Sequence, residues 1–122
     1  MHFLVRWLIN AAALWVATHF VSGISYVGSW TSLFLVALVF GFLNASVRPL
    51  LKLLAFPLLI LTLGLFTFVI NAFMLLITGW ISDRLHLGFH VAGFWPAFWG
   101  GLVISVVSLA MSLLAKSGIR TP

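Results

Sequence analysis

Few residues of this 122-residue chain are equipped for chemistry, because 64% of it is hydrophobic and only 6% is Asp, Glu, Lys or Arg. Five polar side chains stand out within apolar runs: Arg6, Asn10, Asn44, Arg48 and Asn71. Asn10 lies one helical turn from Arg6, and Asn44 one turn from Arg48, so each pair shares a helix face. An amide or guanidinium held in hydrocarbon is a functional candidate by default. Converging groups of this kind would line a polar vestibule for an anion or a lipid headgroup. The plainer alternative, favoured here, is hydrogen bonding between helices, at about 0.6 kcal/mol per bond and up to about 2.

The remaining reactive groups are sparse. Asp83 is the only acidic residue and there is no cysteine. Paired carboxylates for hydrolysis are therefore excluded, as is the membrane-embedded Glu on which the similarly sized small multidrug transporters depend. No Ser-His-Asp arrangement, phosphate-cradling glycine loop or HExxH is present. His86 and His90 stand four apart in an alternating segment, too far apart for easy shared ligation. They read as solvated loop side chains rather than zinc ligands, with His19 at the same surface beside Asp83. His2 reads as an N-terminal side chain at the interface. No metal or other cofactor is expected, and the chain reads as a non-enzyme.

The elements that must position these residues follow from the composition. A soluble domain carries about 25% charged residues, and seven formal charges cannot cover a globule of this size. A transmembrane helix needs about 20 apolar residues to cross a hydrocarbon core of about 30 Å. The sequence supplies four: Phe3 to Val21, about Trp30 to Val47, about Leu63 to Ser82, and Phe94 to about Ala115. Arg48-Pro49 is expected to end the second, since the residue before proline is biased away from helix. Pro49 to about Leu61 then forms a short interfacial or re-entrant helix; one long, tilted third helix from Leu53 to Trp80 is the fallback. A polar tail, Lys116 to Pro122, follows. A cleaved signal peptide, with Arg6 as its basic region and Ala11 to Ala13 near the cleavage site, is the disfavoured alternative for the first span.

The six basic residues are scattered singly, so the net charge of +5 does not form a nucleic-acid surface. It sets topology instead. Arg6, Arg48, Lys52, Lys116 and Arg120 fall on one face of a four-span drawing and Arg84 alone on the other, which places both termini in the cytoplasm.

The chain also repeats itself. Ile9-Asn10-Ala11 recurs as Ile70-Asn71-Ala72; Gly23, Gly28 and Trp30 recur as Gly88, Gly93 and Trp95; and Leu38-Val39 corresponds to Leu102-Val103 after a one-residue slip. The unit is a helix, a loop and a helix, occupying about 3–47 and about 63–115 of a single membrane domain, with 48–62 as the connection. Two spans per unit give parallel copies related by an axis along the membrane normal, unlike inverted transporter repeats. The match also argues against cleavage of the first span and aligns Arg6 with Thr67. Leu85, Leu87, Phe89 and Val91 alternate with more polar residues, and Ile24-Ser25-Tyr26 is their counterpart. Two such strands around a twofold axis must pair antiparallel, which predicts a small two-stranded outer cap. The fold class is thus all-α integral membrane, with four helices, a short connecting helix and this cap.

Ala37, Gly41 and Ala45 recur every four positions on the second span, and Gly101 and Ser105 on the fourth, with Ser108 and Ser112 nearby. Small residues at this spacing let helix backbones approach closely. They are read as packing faces, between helices or between copies in a homo-oligomer, ahead of a pore lining. Trp7, Trp30, Trp80 and Trp95 fall near span ends, where indole rings favour the headgroup region; Trp15 and Trp99 are read as deeper packing residues.

Asn44-Ala45-Ser46-Val47-Arg48-Pro49-Leu50-Leu51-Lys52, then Pro57, Leu61-Thr62-Leu63-Gly64-Leu65-Phe66, Ile70-Asn71-Ala72 and Gly88-Phe89-His90-Val91-Ala92-Gly93-Phe94-Trp95, resemble the YvlD-like small bacterial membrane proteins. That family is labelled the phage holin family, fourth phage-holin superfamily. The resemblance spans nearly the whole chain and implies a multi-pass protein of the bacterial inner membrane, without catalytic residues to carry over. The first loop, Gly23-Ile24-Ser25-Tyr26-Val27-Gly28, is a looser version of the family's Gly-Phe-His-Val pattern. Three functions compete: an oligomeric scaffold or envelope component, which leads; a holin that permeabilises the membrane; and a small channel or lipid-handling protein. Membrane lipid is the partner expected throughout, and nucleic acid is not.

Overall fold

The computed structural model describes residues 2–120. Met1, Thr121 and Pro122 lie outside the described residues, as do the side chains of His2 and of residues 117–120. Seven elements follow in order: α1 (His2–Phe20), β1 (Ile24–Tyr26), α2 (Trp30–Leu54), α3 (Phe56–Leu61), α4 (Phe66–Leu85), β2 (Phe89–Val91) and α5 (Phe94–Arg120). Four of the helices, α1, α2, α4 and α5, are long and apolar enough to cross a membrane. They form a ring in which α1 packs on α2 and α5, and α4 packs on the same two. The two ends of the bundle differ: one carries the start of α1 and the end of α5, the other the strands.

Burial shows the duplication more sharply than residue identity does. Ile9, Ala11, Ala13, Leu14 and Ala17 on α1 and Val21 just after it are buried, and Ile70, Ala72, Met74, Leu75, Thr78 and Ser82 are buried 61 positions on. Leu33, Val36, Ala37 and Phe40 on α2 match Ala97, Gly100, Gly101 and Ile104 on α5, 64 positions on. Between these, β1 and β2 share one burial order at an offset of 65. The step from 61 to 65 is four residues, about one helical turn. That extra turn ends α4, extends past the counterpart of the α1 terminus, and carries Asp83 and Arg84.

The predicted cap is present. Strands β1 and β2 pair antiparallel with Ser25 opposite His90, the two positions that the repeat makes equivalent, so the pseudo-twofold axis passes between them. Val27 N–H donates to the Gly88 carbonyl at 3.0 Å, and Ala92 N–H to the Gly23 carbonyl at 2.7 Å, continuing the ladder at both ends. Gly88 has φ +93°, and a Cβ there would collide with the Val27 carbonyl oxygen. The second strand is shorter than the alternation suggested, because Leu85 closes α4 and His86 turns in the left-handed conformation at φ 57°.

The connection differs from expectation. Helix α2 does not stop at Arg48-Pro49 but runs through Pro49 to Leu54, so the separate helix is only Phe56–Leu61. Proline inside a membrane helix is tolerated where neighbours re-satisfy the freed backbone. The break falls at Ala55, and Pro57 sits in the first turn of α3, where a missing N–H and a fixed φ cost least. Thr62 then joins two helices: its hydroxyl donates to the Leu58 carbonyl at 2.8 Å and accepts from Phe66 N–H at 3.1 Å. Leu63 and Gly64, both at positive φ, reverse the chain, which moves the start of α4 from Leu63 to Phe66. At the far end, α5 continues beyond Ala115 to Arg120.

The middle of the bundle is filled. Leu14, Val36, Met74 and Leu75 are completely buried and Leu33 is 1% exposed. Exposed apolar side chains cover the outside of every spanning helix, from Phe3 and Leu8 to Leu113 and Leu114. That is the inverse of a soluble surface, and it fits a lipid solvent.

Candidate functional site

The two asparagines of the repeated Ile-Asn-Ala triplet face equivalent partners. On α4, Asn71 is 8% exposed and its Nδ2 donates to Ser105 Oγ on α5 at 3.1 Å. A Cβ on Gly101 would stand 3.3 Å from Asn71 Cβ, so the glycine is what lets these backbones meet. On α1, Asn10 Nδ2 lies 3.2 Å from where a Cβ on Gly41 would stand. Gly41 is the counterpart of Ser105, 64 positions earlier. One interhelical contact is thus built twice, once with a hydroxyl to receive the amide and once with bare backbone.

Asn44 and Arg48 are both half-buried on α2. The Asn44 Oδ1, the Arg48 Nε and the Asn71 Oδ1 are enclosed and have no hydrogen-bond partner among the described residues. Arg6 is separated from them in character: it is exposed on α1 and forms no side-chain hydrogen bond or ion pair among the described residues. Of the small residues, Ala37 is fully buried and Gly101 is buried, Gly41 and Ser105 are half-buried, and Ala45 is exposed. The α2 stripe therefore begins inside the bundle and ends on its lipid-facing surface, because a spacing of four drifts around a helix of 3.6 residues per turn.

The tryptophans redistribute. Trp7 is not a boundary anchor: its indole N–H donates to the Phe34 carbonyl at 2.8 Å, tying α1 to α2, with the rings edge-on at 5.8 Å. Trp15 and Trp99 are 43% and 55% exposed, so they face lipid rather than the core. Trp30, Trp80 and Trp95 are exposed at helix ends as expected, and the Arg84 guanidinium sits 5.0 Å over the Trp80 ring.

At the capped end, Asp83 Oδ2 pairs with His90 Nδ1 at 3.1 Å. Ser82 Oγ accepts from Phe89 N–H at 2.9 Å, so the added turn of α4 holds β2 from two sides. Sequence reasoning missed this pairing; the seven-residue spacing of both contacts around a left-handed His86 was the available signal. The His19 ring lies against that of Trp15, tilted by 59° with 4.3 Å between centroids, instead of approaching Asp83 as a partner. The Tyr26 hydroxyl donates to the Ser29 carbonyl, and burial raises its pKa above the ordinary 10.0. The described residues include no group of three His, Cys, Asp or Glu that could hold a metal ion. The side chains here are suited to holding helices and strands together and, at Arg48, to meeting an anion.

The comparisons agree with this architecture. The family model described as mycobacterial 4 TMS phage holin, superfamily IV, matches residues 1–110. An uncharacterized protein of Streptomyces coelicolor is 49% identical over 122 residues, covering 96% of this chain and 98% of that protein. The uncharacterized membrane protein YvlD of Bacillus subtilis is 33% identical over 123 residues, covering 98% of this chain and 97% of its own length. No solved structure matches. Four apolar helices in two repeats, a full-length likeness to YvlD and the family match together make this chain a member of the YvlD-like, four-span phage-holin superfamily IV.

Proposed function

We propose that the protein is a non-enzymatic, resident scaffold of the bacterial cytoplasmic membrane, working as a homo-oligomer with both termini inside the cell. The filled interior carries this reading: the bundle centre is closed by Leu14, Leu33, Val36, Met74 and Leu75, which leaves no room for a path through one copy. The lone carboxylate, Asp83, lies at the cap and is paired with His90, so no pair of carboxylates is available for hydrolysis. Small residues that no helix of the same chain covers, Ala45 and Ser46 on α2, offer a close-packing face to a second copy. The excess of basic residues at the end carrying the termini supports the orientation.

A second reading is favoured by the word holin in the family description: assembly followed by permeabilisation. With the chain's own core filled, such a pore would have to form between copies. Timed expression beside an endolysin separates the two. Continued growth with an intact membrane potential is the outcome of the scaffold reading, and abrupt lysis at a set time would replace it with the holin one. The oligomeric part is tested separately by the mass of the protein in nanodiscs, where Ala45→Leu should lower the assembly state and a monomer at all concentrations would remove it.

A further inference from the structure

Lys52 on α2 and Lys116 on α5 are 64 positions apart, the same offset that relates the buried faces of those helices, and both are exposed. Lysine at a membrane helix end extends its ammonium to the headgroup region, so the pair marks one level in both repeats. Arg48 lies one turn, about 6 Å, inside that level, where the second repeat has Ser112. Counted from Trp30, it is about 27 Å along α2, just within a hydrocarbon core of about 30 Å. The first repeat alone therefore places a fixed positive charge below the interface.

That charge has no hydrogen-bonded acceptor among the described residues. Arg48 Nε is enclosed without a partner among the described residues, and so is Oδ1 of Asn44, one turn deeper on the same face. Arg48 is half-buried, and an enclosed Nε–H without an acceptor is costly; the single carboxylate, Asp83, is at the opposite end of the bundle and already engaged by His90. An acceptor from outside the chain would satisfy it. We infer that Arg48, flanked by Asn44 and Lys52 on successive turns of α2, binds the phosphate group of an anionic phospholipid in the adjacent leaflet. The planar fork of the guanidinium matches phosphate oxygens in pairs. The Asn44 amide, turned about its last torsion, presents its N–H2 where the oxygen now stands. Lys52 adds a second charge at the surface. This site is independent of whether the protein acts as a scaffold.

Native mass spectrometry of the detergent-solubilised chain, titrated with phosphatidylglycerol and with phosphatidylcholine, tests it. The site predicts preferential retention of one phosphatidylglycerol by about fivefold or more, given about 1 kcal/mol per basic residue near an anionic headgroup. Arg48→Gln should abolish the preference and Lys52→Gln, at an exposed position, should weaken it with the fold untouched. Arg6→Gln, exposed on α1, should leave it intact. Equal retention of the two lipids, an unchanged preference in both Arg48→Gln and Lys52→Gln, or displacement of the lipid by millimolar inorganic phosphate would each overturn the inference, the last by showing a site for a soluble anion.

Discussion

Removing the Ser105 hydroxyl gives the sharpest test of how polar groups hold this bundle. Asn71 is 8% exposed, donates once, to Ser105 at 3.1 Å, and leaves its Oδ1 without a partner among the described residues. In Ser105→Ala the buried amide loses its one bond, and a buried donor left unsatisfied costs about 1–3 kcal/mol. Membrane interiors soften this, since interhelical hydrogen bonds there average about 0.6 kcal/mol with a maximum near 1.7. The expected loss is about 1 kcal/mol. The double substitution with Asn71→Ala should show a coupling of about 0.6 kcal/mol or more. The repeat extends the reasoning to a gain. Gly41 stands where Ser105 does, with Asn10 Nδ2 at 3.2 Å from its would-be Cβ. Gly41→Ser should create the missing bond, after a small shift of the amide, with a similar coupling to Asn10→Ala. Unfolding in mixed micelles followed by far-UV circular dichroism supplies all the free energies. A coupling of zero at Asn71–Ser105 would refute the bond, and a Gly41→Ser protein less stable than Gly41→Ala by more than 1 kcal/mol would refute the equivalence of the two contacts.

Four further outcomes follow from local geometry. Gly88→Ala places a Cβ against the Val27 carbonyl at φ +93° and should unpair the strands, seen as faster hydrogen exchange at Val27 and Ala92. Leu63→Gly relieves a left-handed leucine that is 93% exposed, and should raise stability by about 1 kcal/mol. Ser25→Cys with His90→Cys should form a disulfide under mild oxidation, because a hydrogen-bonded antiparallel pair holds its Cα atoms about 5.5 Å apart; mass spectrometry after alkylation reads it out. Since burial raises the Tyr26 pKa, the folded state resists its ionisation. Stability linked to this group is complete below about pH 10 and falls as pH rises further, and Tyr26→Phe should remove that alkaline loss.

Spans and cap were legible because each rests on a pattern the sequence displays directly. Apolar length determines the helices, and the glycine–tryptophan spacing at an offset of 65 determines which loop segments face each other, pairing Ile24–Tyr26 with the alternating Leu85–Val91 segment, of which Phe89–Val91 forms the strand. At Pro49 the backbone preference of the residue before proline yields to helix continuation, and Pro57 in a first turn with the left-handed Leu63-Gly64 pair makes the break instead. Among candidate residues, Asn71 and Ser105 meet, whereas Arg6 stays on the surface and Ala45 faces outward. Composition identifies a polar residue inside a span without giving its azimuth, and azimuth decides whether it meets a neighbour or lipid. The same limit applies to Trp7, Trp15 and Trp99, whose place in the sequence gives a depth but no direction.

The absence of cysteine permits the most direct test of the whole arrangement. Single cysteines at Phe3, Ser25 and Lys116, all exposed, can be challenged in intact cells with a maleimide that does not cross the cytoplasmic membrane. Two parallel hairpins predict labelling at position 25 only, with 3 and 116 reacting after the membrane is opened. Labelling of 3 and 116 on opposite sides in intact cells would contradict it.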